Sequence, residues 1–378
     1  MRVLFVAPAG SVHTARWISQ LAGQGWELHV FSSFDAAGAH PALPAEAKVH
    51  GASGGNSLPA RALRRARRLL RPGARLDALG RLIQELKPDV IHSLEIQHGG
   101  YLTLDAKKRL GAAGFPPWIV TPWGSDISRF GKSTEHAPLI RQTLANCDFY
   151  QCECERDVRL GREFGFRGVV LPVIPATGGF AVEEVRRLRS PMAPSKRRRI
   201  MLKGYQGWAG RALVALKALE SCAELLKDFE LLVYVSEISS EARRFHERTG
   251  VPVIFVPKGT PHEEMLRLHG TSRVSIGLSV SDGVPSSFLE AAVMGSFPVQ
   301  SDTGACDEWL ENGKGCLFVS AEDPRAVAVA LRRALTDDAL VDAAAAANAA
   351  LLEDRMEAGK VAAAARAMYG RAAARRIS

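Results

Sequence analysis

Two carboxylates in the last third of this 378-residue sequence carry its strongest indication of chemistry. Asp282 and Glu290 stand eight residues apart, separated by a Gly-Val-Pro turn and the start of an apolar helical pattern. A helix that begins there leaves the N–H groups of Ser286 and Ser287 without intrahelical acceptors, so they can face an anion. Asp282 can accept hydrogen bonds from sugar hydroxyls, and Glu290, about one helical turn further in, from a ribose diol. The spacing predicts a site for a sugar joined to a phosphate.

A glycine-rich segment predicts a second part of this site. Residues 203–211 read Lys-Gly-Tyr-Gln-Gly-Trp-Ala-Gly-Arg, after a candidate strand and before a candidate helix. Gly204 lets the backbone approach a ligand, and a helix N-terminus beside a cation binds phosphate. Arg211 is the first candidate for that cation, and Lys203 is the second. A plain glycine turn with a surface arginine remains the alternative.

The elements that must position these residues alternate along the chain. Apolar runs rich in β-branched and aromatic residues alternate with helical patterns, which predicts βαβ units and parallel sheets. A segment rich in proline and glycine, residues 172–196, predicts a linker, and the Ala-rich residues 339–375 predict helix. We therefore expect domains at 1–175 and 176–355 and a final helix at 356–378. The candidate strands are Val3–Ala7, Leu28–Ser32, Val90–Ser93, Ile119–Thr121, Phe149–Cys152, Val169–Val173, Ile200–Lys203, Leu231–Val235, Val253–Val256, Val274–Leu278 and Pro298–Gln300.

The composition excludes several classes of protein. The sequence has no apolar run long enough to span a membrane, and its N-terminus predicts a buried first strand rather than a signal peptide. Six scattered cysteines predict reduced thiols in a cytoplasmic protein, and Cys152-Glu-Cys154 has no matching second pair for zinc. There is no G-x-G-x-x-G, so a nicotinamide or flavin cofactor is disfavoured.

A basic stretch between Arg61 and Arg75 is the largest concentration of charge. Its arginines flank a short apolar stripe, which is typical of helices that bind anionic membrane surfaces. The first 175 residues carry 22 Lys or Arg against 15 Asp or Glu, whereas the remainder carries 27 against 25. We expect this stretch to contact an anionic membrane or acceptor, and a solvated charged helix remains the alternative. No recognised motif supports nucleic-acid binding.

The segment from Asp282 onward resembles the E-x7-E segment of the retaining family 4 glycosyltransferases with the GT-B fold. Their second glutamate begins EAMA-x-G-x-PVV, and here Glu290 begins EAAVMGSFPVQ. Asp282 replaces the first glutamate. The resemblance covers nearly the whole chain. It implies an α/β protein with two Rossmann-like domains, whose parallel sheets face an interdomain cleft, and a C-terminal helix that crosses back to the N-terminal domain.

The resemblance also assigns roles to the loops of the N-terminal domain. The loop with Gly10, Ser11 and His13 lies beside the donor diphosphate and the acceptor in similar enzymes, although a plain turn with His13 at the helix start is equally consistent. His92, at a strand's carboxyl end, either orients acceptor or sugar hydroxyls or is a satisfied core residue. The next motif, with Trp123, Gly124 and Asp126, follows the candidate strand Ile119–Thr121.

Two departures from the family pattern bear on that motif and on the glycine-rich loop. Trp123 stands where the family has a histidine, so it can stack on a sugar but cannot act as a base. Asp126 is then the catalytic candidate in this loop, with a helix N-cap as its alternative. Tyr205 occupies the usual arginine position, and Arg211 most nearly matches the lysine.

The implied activity is transfer of a sugar from a nucleotide-diphosphate sugar to an acceptor hydroxyl, with retention and without a metal. The expected catalytic residues are Asp282, Arg211 and Asp126. Glu290 would hold the ribose and Lys258 would lie near the base. The donor sugar and phosphates would contact Lys203, Gly204, Gly283, Val284, Pro285 and Ser286.

The implied acceptor is a saccharide or a lipid-linked saccharide of cell-surface glycan synthesis, handled in the cytoplasm with peripheral contact at the inner membrane face. Two alternatives stay open. One is another GT-B enzyme, such as a nucleotide-sugar epimerase or a phosphorylase, and the other is a non-catalytic nucleotide-binding scaffold.

Overall fold

The computed structural model describes residues 1–34, 38–51 and 73–375. The chain divides into two compact units, here called unit 1 and unit 2. Unit 1 comprises Met1–Gly179 together with the residues from Gly359 onward, and unit 2 is Phe180–Ala358. Each unit is built around one parallel sheet, as the alternation of strand and helix patterns predicted.

In the described part of unit 1, seven parallel strands form the sheet in the order β3-β2-β1-β4-β5-β6-β7. Helices cover both faces, so the central strands are buried and read as nearly continuous apolar runs. The strands are β1 Arg2–Ala7, β2 Glu27–Ser32, β3 Lys48–His50, β4 Val90–Leu94, β5 Trp118–Thr121, β6 Phe149–Tyr150 and β7 Val169–Val170. The helices before the linker are α1 Val12–Ser19, α2 Ala74–Leu86, α3 Tyr101–Leu110, α4 Ser125–Ser128, α5 His136–Asn146 and α6 Glu155–Glu163.

Unit 2, all of whose residues are described, has six parallel strands in the order β10-β9-β8-β11-β12-β13. The strands are β8 Arg199–Lys203, β9 Glu230–Tyr234, β10 Val253–Phe255, β11 Val274–Gly277, β12 Phe297–Ser301 and β13 Leu317–Val319. The helices are α7 Val182–Leu188, α8 Ala212–Glu220, α9 Ser239–Thr249, α10 His262–Thr271, α11 Ser286–Val293, α12 Pro324–Thr336 and α13 Asp338–Arg355.

Both sheets have the strand order of doubly wound α/β folds. The order reverses between β1 and β4 in unit 1 and between β8 and β11 in unit 2. In such sheets, ligands bind outside the carboxyl ends of the strands at this reversal, because the connecting loops diverge there and leave a crevice. The loops that carry most of the predicted site residues follow β1, β4 and β5 in unit 1 and β8 and β11 in unit 2.

The last helix, α14 (Ala358–Ala374), packs against the core of unit 1, which confirms the predicted return to the N-terminal domain. Val361, Ala365, Met368 and Ala372 are buried at helical spacing. Tyr369 is buried beside them, and its hydroxyl accepts a hydrogen bond of 2.7 Å from the indole Nε1 of Trp17. The helix therefore completes the core of unit 1.

Three local elements differ from the sequence prediction. The expected linker at residues 172–196 contains α7, because the turn-forming residues lie on both sides of a short amphipathic stretch. The strands β3 and β13 were not predicted. Each has three residues and lies at the outer edge of its sheet. The edge strand β10 is equally short, but it was predicted because its apolar run continues to Val256.

Candidate functional site

In unit 2, the loops after β8 and β11, which carry predicted site residues, are hydrogen-bonded to each other where the strand order of the sheet reverses. Gly210, in the loop after β8, forms an antiparallel bridge with Ser279, in the loop after β11. The N–H of Arg211 donates to the carbonyl oxygen of Leu278 over 3.0 Å, and the N–H of Val280 donates to that of Ala209 over 2.9 Å. This pairing brings the glycine-rich loop and the loop that carries Asp282 together.

The N-terminus of α11 offers two unoccupied donors. Pro285 precedes the helix with φ −60° and ψ 125°, and its carbonyl oxygen accepts from the N–H groups of Phe288 and Leu289. The N–H groups of Ser286 and Ser287 donate to no acceptor within the described residues. Both residues are half-buried. The start of α11 thus presents two N–H groups and the positive end of the helix dipole to an anion.

Asp282 lies just ahead of these donors. Its side chain is half-buried, and one carboxylate oxygen accepts a hydrogen bond of 2.9 Å from the N–H of Gly283. The carbonyl oxygen of Gly283 accepts from the N–H of Ala305 over 3.0 Å, which anchors the loop to the segment after β12. Gly283, Val284 and Pro285 are buried. The loop is therefore well packed, and Asp282 stands at its more exposed end.

Glu290 is buried in the second turn of α11 and has a partner that the sequence did not indicate. Its Oε1 lies 2.7 Å from Nε2 of His262, the first residue of α10. The imidazole is about half exposed, whereas the carboxylate is largely covered. His262 has no motif around it, so only the tertiary structure reveals that it orients Glu290.

A buried tyrosine supports the same helix. Burial raises the pKa of Tyr234, at the end of β9, whereas the nearby Ser287 side chain lowers it and Glu290 raises it by smaller amounts. Tyr234 is thus neutral at physiological pH. It contacts α11 next to the open N–H group of Ser287.

The glycines after β8 are required by close packing. A Cβ atom at Gly204 would collide with the backbone of Val235, and one at Gly210 would collide with the carbonyl oxygen of Tyr205. Val235 itself has φ +55°, which is unusual for a β-branched residue. The loop is therefore tightly wound around Tyr205, the residue that replaces the family's arginine.

The N-terminus of α8 differs from the expected phosphate site. The N–H of Ala212 donates to the carbonyl oxygen of Tyr205, and that of Val214 donates to Arg211. The N–H of Leu213 donates to the side-chain oxygen of Gln206 over 2.9 Å. Because the preceding loop takes up these donors, the geometry does not support the expectation that the N-terminus of α8 binds phosphate, which stays a prediction. In unit 2 the open N–H groups at the start of α11 still support the prediction that a helix N-terminus binds phosphate.

The two candidate cations have different surroundings. The guanidinium of Arg211 contacts Glu322 Oε1 at 3.3 Å and donates to the carbonyl oxygen of Gly210 over 2.9 Å. Lys203 is half-buried at the carboxyl end of β8, and its ammonium has no hydrogen-bond or ion-pair partner in the described part of the chain. Lys258 is exposed in the turn after β10. Lys203 is thus the cation with most capacity left for a ligand.

In unit 1, the loops after β1 and β5 meet through two aromatic rings. Ser11 caps α1 by accepting from the N–H of His13 over 3.2 Å. The ring of His13 is exposed and lies 5.3 Å from that of Trp123, centroid to centroid. Gly10 is exposed beside them. The structure thus brings Trp123 beside the loop of Gly10, Ser11 and His13, which was predicted separately from it, and Ser11 acts there as a helix cap.

Asp126 has its oxygens occupied by the backbone. Oδ2 accepts from the N–H of Ile96 over 2.9 Å, and Oδ1 accepts from the N–H of Trp123 over 2.8 Å. Burial raises the pKa of Asp126, and the nearby Glu95 raises it further. Asp126 therefore ties the loop after β4 to the loop after β5. It is not a helix N-cap, since Gly124, with φ +87°, holds that position.

Glu95 is a second residue that the sequence did not single out. It follows β4 with φ +68°, a conformation that a non-glycine residue adopts only when its surroundings enforce it. Its carboxylate accepts from the N–H groups of His98 and Gly99 at 2.9 and 2.6 Å. The hydrogen bond to Glu95 raises the pKa of His98, whose side chain is exposed.

His92 lies wholly in the core of unit 1, so the prediction that it orients ligand hydroxyls is not supported by its position. Nδ1 is 2.6 Å from the hydroxyl of Tyr369, and Nε2 is 2.7 Å from Oγ1 of Thr121. The hydroxyl of Thr121 donates to Gln151 over 2.8 Å. Burial lowers the pKa of His92 to about 3. It is the satisfied core residue that was its alternative.

The basic stretch lies outside the described residues, except for Arg75. The Arg75 guanidinium donates to the carbonyl oxygen of Ser32 and lies over the ring of Phe31. Within the described residues, helices are too short or too polar to cross a membrane.

Two family models match this chain. The model described as glycosyl transferase 4-like matches residues 2–150, and the model described as glycosyl transferases group 1 matches residues 208–337. The first lies within unit 1 and the second within unit 2. Comparison with curated proteins finds no significant match.

Solved structures of similar fold cover nearly the whole chain. The sucrose-phosphate synthase of Thermosynechococcus elongatus is 15% identical with a TM-score of 0.71, and the alignment covers 98% of each chain. Anabaena HepE in complex with UDP-glucose is 12% identical with a TM-score of 0.69, over 98% of this chain and 100% of HepE. A UDP-forming trehalose-phosphate synthase from Burkholderia xenovorans is 13% identical with a TM-score of 0.66, over 100% and 99%. At these identities the likeness establishes the fold.

Proposed function

This chain belongs to the family 4-like glycosyltransferases with the GT-B fold, and we propose that it transfers a sugar, with retention, from a nucleotide-diphosphate sugar to an acceptor hydroxyl. The observation that carries the proposal is the arrangement around α11. Two open N–H groups, of Ser286 and Ser287, lie on the same short helix as the buried Glu290, directly after the loop of Asp282.

Three parts of a nucleotide-diphosphate sugar, the diphosphate, the ribose and the donor sugar, have a matching group there. The open N–H groups suit the diphosphate. Glu290, held by His262, can accept hydrogen bonds from the two ribose hydroxyls, and Asp282 can accept from hydroxyls of the donor sugar. Lys203 and Arg211, at the two ends of the glycine-rich segment 203–211, would stabilise charge on the departing diphosphate.

The reaction proposed for this site needs no base from the protein. The bond between the sugar's anomeric carbon and the diphosphate oxygen breaks, and the acceptor oxygen bonds to the same face of that carbon. The departing phosphate oxygen takes the acceptor's proton. The products are a nucleoside diphosphate and a glycoside, without metal or redox cofactor.

We propose that unit 1 binds the acceptor through the loops after β1 and β5. The exposed ring of His13 and the adjoining, half-buried ring of Trp123 offer an aromatic surface on which a sugar can stack. Asp126 would act as a positioning residue, because its carboxylate holds the backbone of the Trp123 loop. A lipid-linked acceptor and cytoplasmic location remain parts of this proposal.

The test is calorimetric titration of the full chain with UDP, GDP, ADP, CMP and dTDP in the presence of EDTA. The structure of HepE in complex with UDP-glucose makes UDP the first choice. We expect one nucleoside diphosphate to bind and its sugar conjugate to be turned over with an added acceptor. Turnover without any acceptor would instead indicate an epimerase, and the absence of all nucleotide binding would contradict the proposal.

The first variant to test is Glu290→Ala. We expect it to abolish nucleotide binding, because the variant removes the acceptor for the ribose hydroxyls from a largely covered position. A matched control is Glu353→Ala, which removes a glutamate of the same unit that is paired with Arg186 and Arg189. Unchanged nucleotide affinity in a folded Glu290→Ala protein would refute the ribose assignment.

A further inference from the structure

A cavity at the amino-terminal ends of the unit 2 strands has no part in the proposed reaction. It has a volume of about 550 Å³ and is lined by residues that lead into β8, β9 and β10, with Thr271 at the end of α10. We call it the basic cavity. Because the strands are parallel, their amino-terminal ends lie on one side of the sheet, whereas Lys203 and Asp282 lie at or beyond the carboxyl-terminal ends. The five-residue strand β8 separates the two ends by more than about 10 Å.

The lining of the basic cavity is strongly cationic. Arg199 is paired with Glu230. The other charged residues of the lining are one carboxylate, Asp228, and four cations from two short segments: Lys196, Arg197, Arg198 and Lys227. Asp338 lies near Lys196 and Arg198, but its own carboxylate is 2.7 Å from the guanidinium of Arg273.

One of these cations is buried and forms no ion pair within the described residues, although the nearby carboxylate of Asp342 raises its pKa by less than burial lowers it. The Arg197 guanidinium donates to the carbonyl oxygens of Met192, Ser272 and Gly295 over 3.0 to 3.2 Å. Only 3% of the residue is exposed, and burial lowers the pKa of Arg197 to about 10. At physiological pH it is still charged, so the wall of the cavity contains a fixed positive charge that an anion would stabilise.

The cavity also has an apolar part. Phe229 is buried in its lining beneath the guanidinium of Arg198, which lies 5.4 Å from the ring centroid. Met192 and Pro252 are exposed around it. Positive charge around an apolar floor suits an anionic group attached to a larger body, and the volume is within the range of small-molecule sites.

We propose that the basic cavity binds a phosphate-bearing ligand, separately from the nucleotide site. Lys196, Arg198 and Lys227, all exposed at its rim, supply charge-assisted hydrogen bonds to the phosphate. The rest of the ligand lies against Phe229. A soluble phosphate ester and a phospholipid headgroup offer this chemistry equally, so the experiment has one arm for each source.

The first arm is calorimetric titration of the full chain with pyrophosphate. The double variant Lys196→Gln/Lys227→Gln is compared with Lys217→Gln/Lys314→Gln, which removes two exposed charges of unit 2 outside the cavity. We expect the cavity variant to weaken one binding event at least tenfold and the control to leave it unchanged. In Ser286→Pro, which alters the nucleotide site, that event should persist.

The second arm measures sedimentation with vesicles of phosphatidylcholine that contain phosphatidic acid, against vesicles of phosphatidylcholine alone. A phospholipid source predicts binding to the acidic vesicles that falls at least tenfold in the cavity variant and not in its control. A soluble source predicts the same loss for pyrophosphate alone. If neither pyrophosphate nor vesicle binding depends on Lys196 and Lys227, the proposal is overturned.

These outcomes are independent of the glycosyltransferase proposal. The cavity variant should bind nucleoside diphosphate as the wild type does, because its changed residues lie at the amino-terminal ends of the strands. The changed side chains are exposed, so thermal unfolding of the variant should match that of the wild type.

Discussion

The serine that opens α11 and the alanine that opens α8 both begin a helix after a glycine-containing loop, but their N–H groups differ in availability. Gln206 and Tyr205 occupy the donors at the start of α8. At the start of α11, Pro285 turns the chain without supplying a side-chain acceptor, so the donors of Ser286 and Ser287 stay open. The backbone path and the side chains of the preceding loop therefore decide which helix start can bind phosphate.

Replacing Ser286 tests this directly. Ser286→Pro removes the N–H group at the first helical position, where proline is well tolerated, and the backbone of Pro285 already suits a residue before proline. We expect nucleoside-diphosphate affinity to fall about tenfold, because one hydrogen bond to a charged group is lost. Calorimetry measures the change.

Ser286→Ala is the matched control, because it removes the hydroxyl and keeps the N–H group. Its affinity should stay within about threefold of the wild type if the backbone binds the phosphate. Equal losses in the two variants would assign binding to the hydroxyl, and no loss in Ser286→Pro would exclude this helix start as the phosphate site.

Burial decides which of the ionisable candidates can touch a ligand. His92 is the third of the five residues of β4 rather than its last, and Asp126 lies in α4, after β5. Both are enclosed, and their polar atoms are used within unit 1. His13 and Trp123 stay accessible from neighbouring loops. Sequence position identifies the correct edge of the sheet, but not which side chains point outward.

At the scale of elements, α14 contributes a polar link as well as apolar packing. The Tyr369 hydroxyl accepts from Trp17, whose indole can only donate, and therefore donates to Nδ1 of His92. Nε2 of His92 then donates to Thr121, which in turn donates to Gln151. The chain of hydrogen bonds has one direction, and it ties α14 to α1 and to the end of β5.

Tyr369→Phe should destabilise unit 1 by about 2 to 4 kcal/mol, because it leaves the indole N–H of Trp17 and Nδ1 of His92 buried without partners. Hydrogen exchange of amides in β1 and β4 reports the free energy of unfolding of this unit.

The control is Tyr101→Phe, since the Tyr101 hydroxyl bonds to His136 where water can replace it. Its cost should stay below about 1 kcal/mol. Equal effects of the two substitutions would show that α14 is held by apolar packing alone.

At the scale of the whole molecule, buried histidines make stability depend on pH. Burial lowers the pKa of His269 in unit 2 from 6.5 to about 4. Below pH 6.5 the unfolded chain takes up a proton that the folded unit does not, so stability falls as the pH falls towards 4. Between pH 6.5 and 5 this one residue should lower the free energy of unfolding of unit 2 by about 1.5 kcal/mol.

Both His269→Gln and His269→Leu should flatten this dependence by the same amount, whatever their effect at neutral pH. Hydrogen exchange of core amides in β8 and β11, followed between pH 5 and 6.5, measures the slope. The same loss of stability in wild type and both variants would show that His269 does not cause it.

Much of the architecture was predictable because a parallel sheet covered on both faces requires long apolar strands. The cores of β1, β4, β8 and β11 lie where the apolar runs predicted them. The short edge strands β3 and β13 were not predicted, whereas the equally short edge strand β10 was, because its apolar run continues to Val256. Likewise α7 was hidden among turn-forming residues.

By itself, the sequence determined the α/β class, the two parallel-sheet domains and the loops that carry the candidate site, because hydrophobic periodicity and glycine positions are local properties. The tertiary structure alone decided which of those residues are accessible. The pairing of His262 with Glu290, the enclosure of His92 and the clustering of cations in the basic cavity all join segments distant in sequence. Contacts of that kind depend on how elements pack, and no local pattern encodes them.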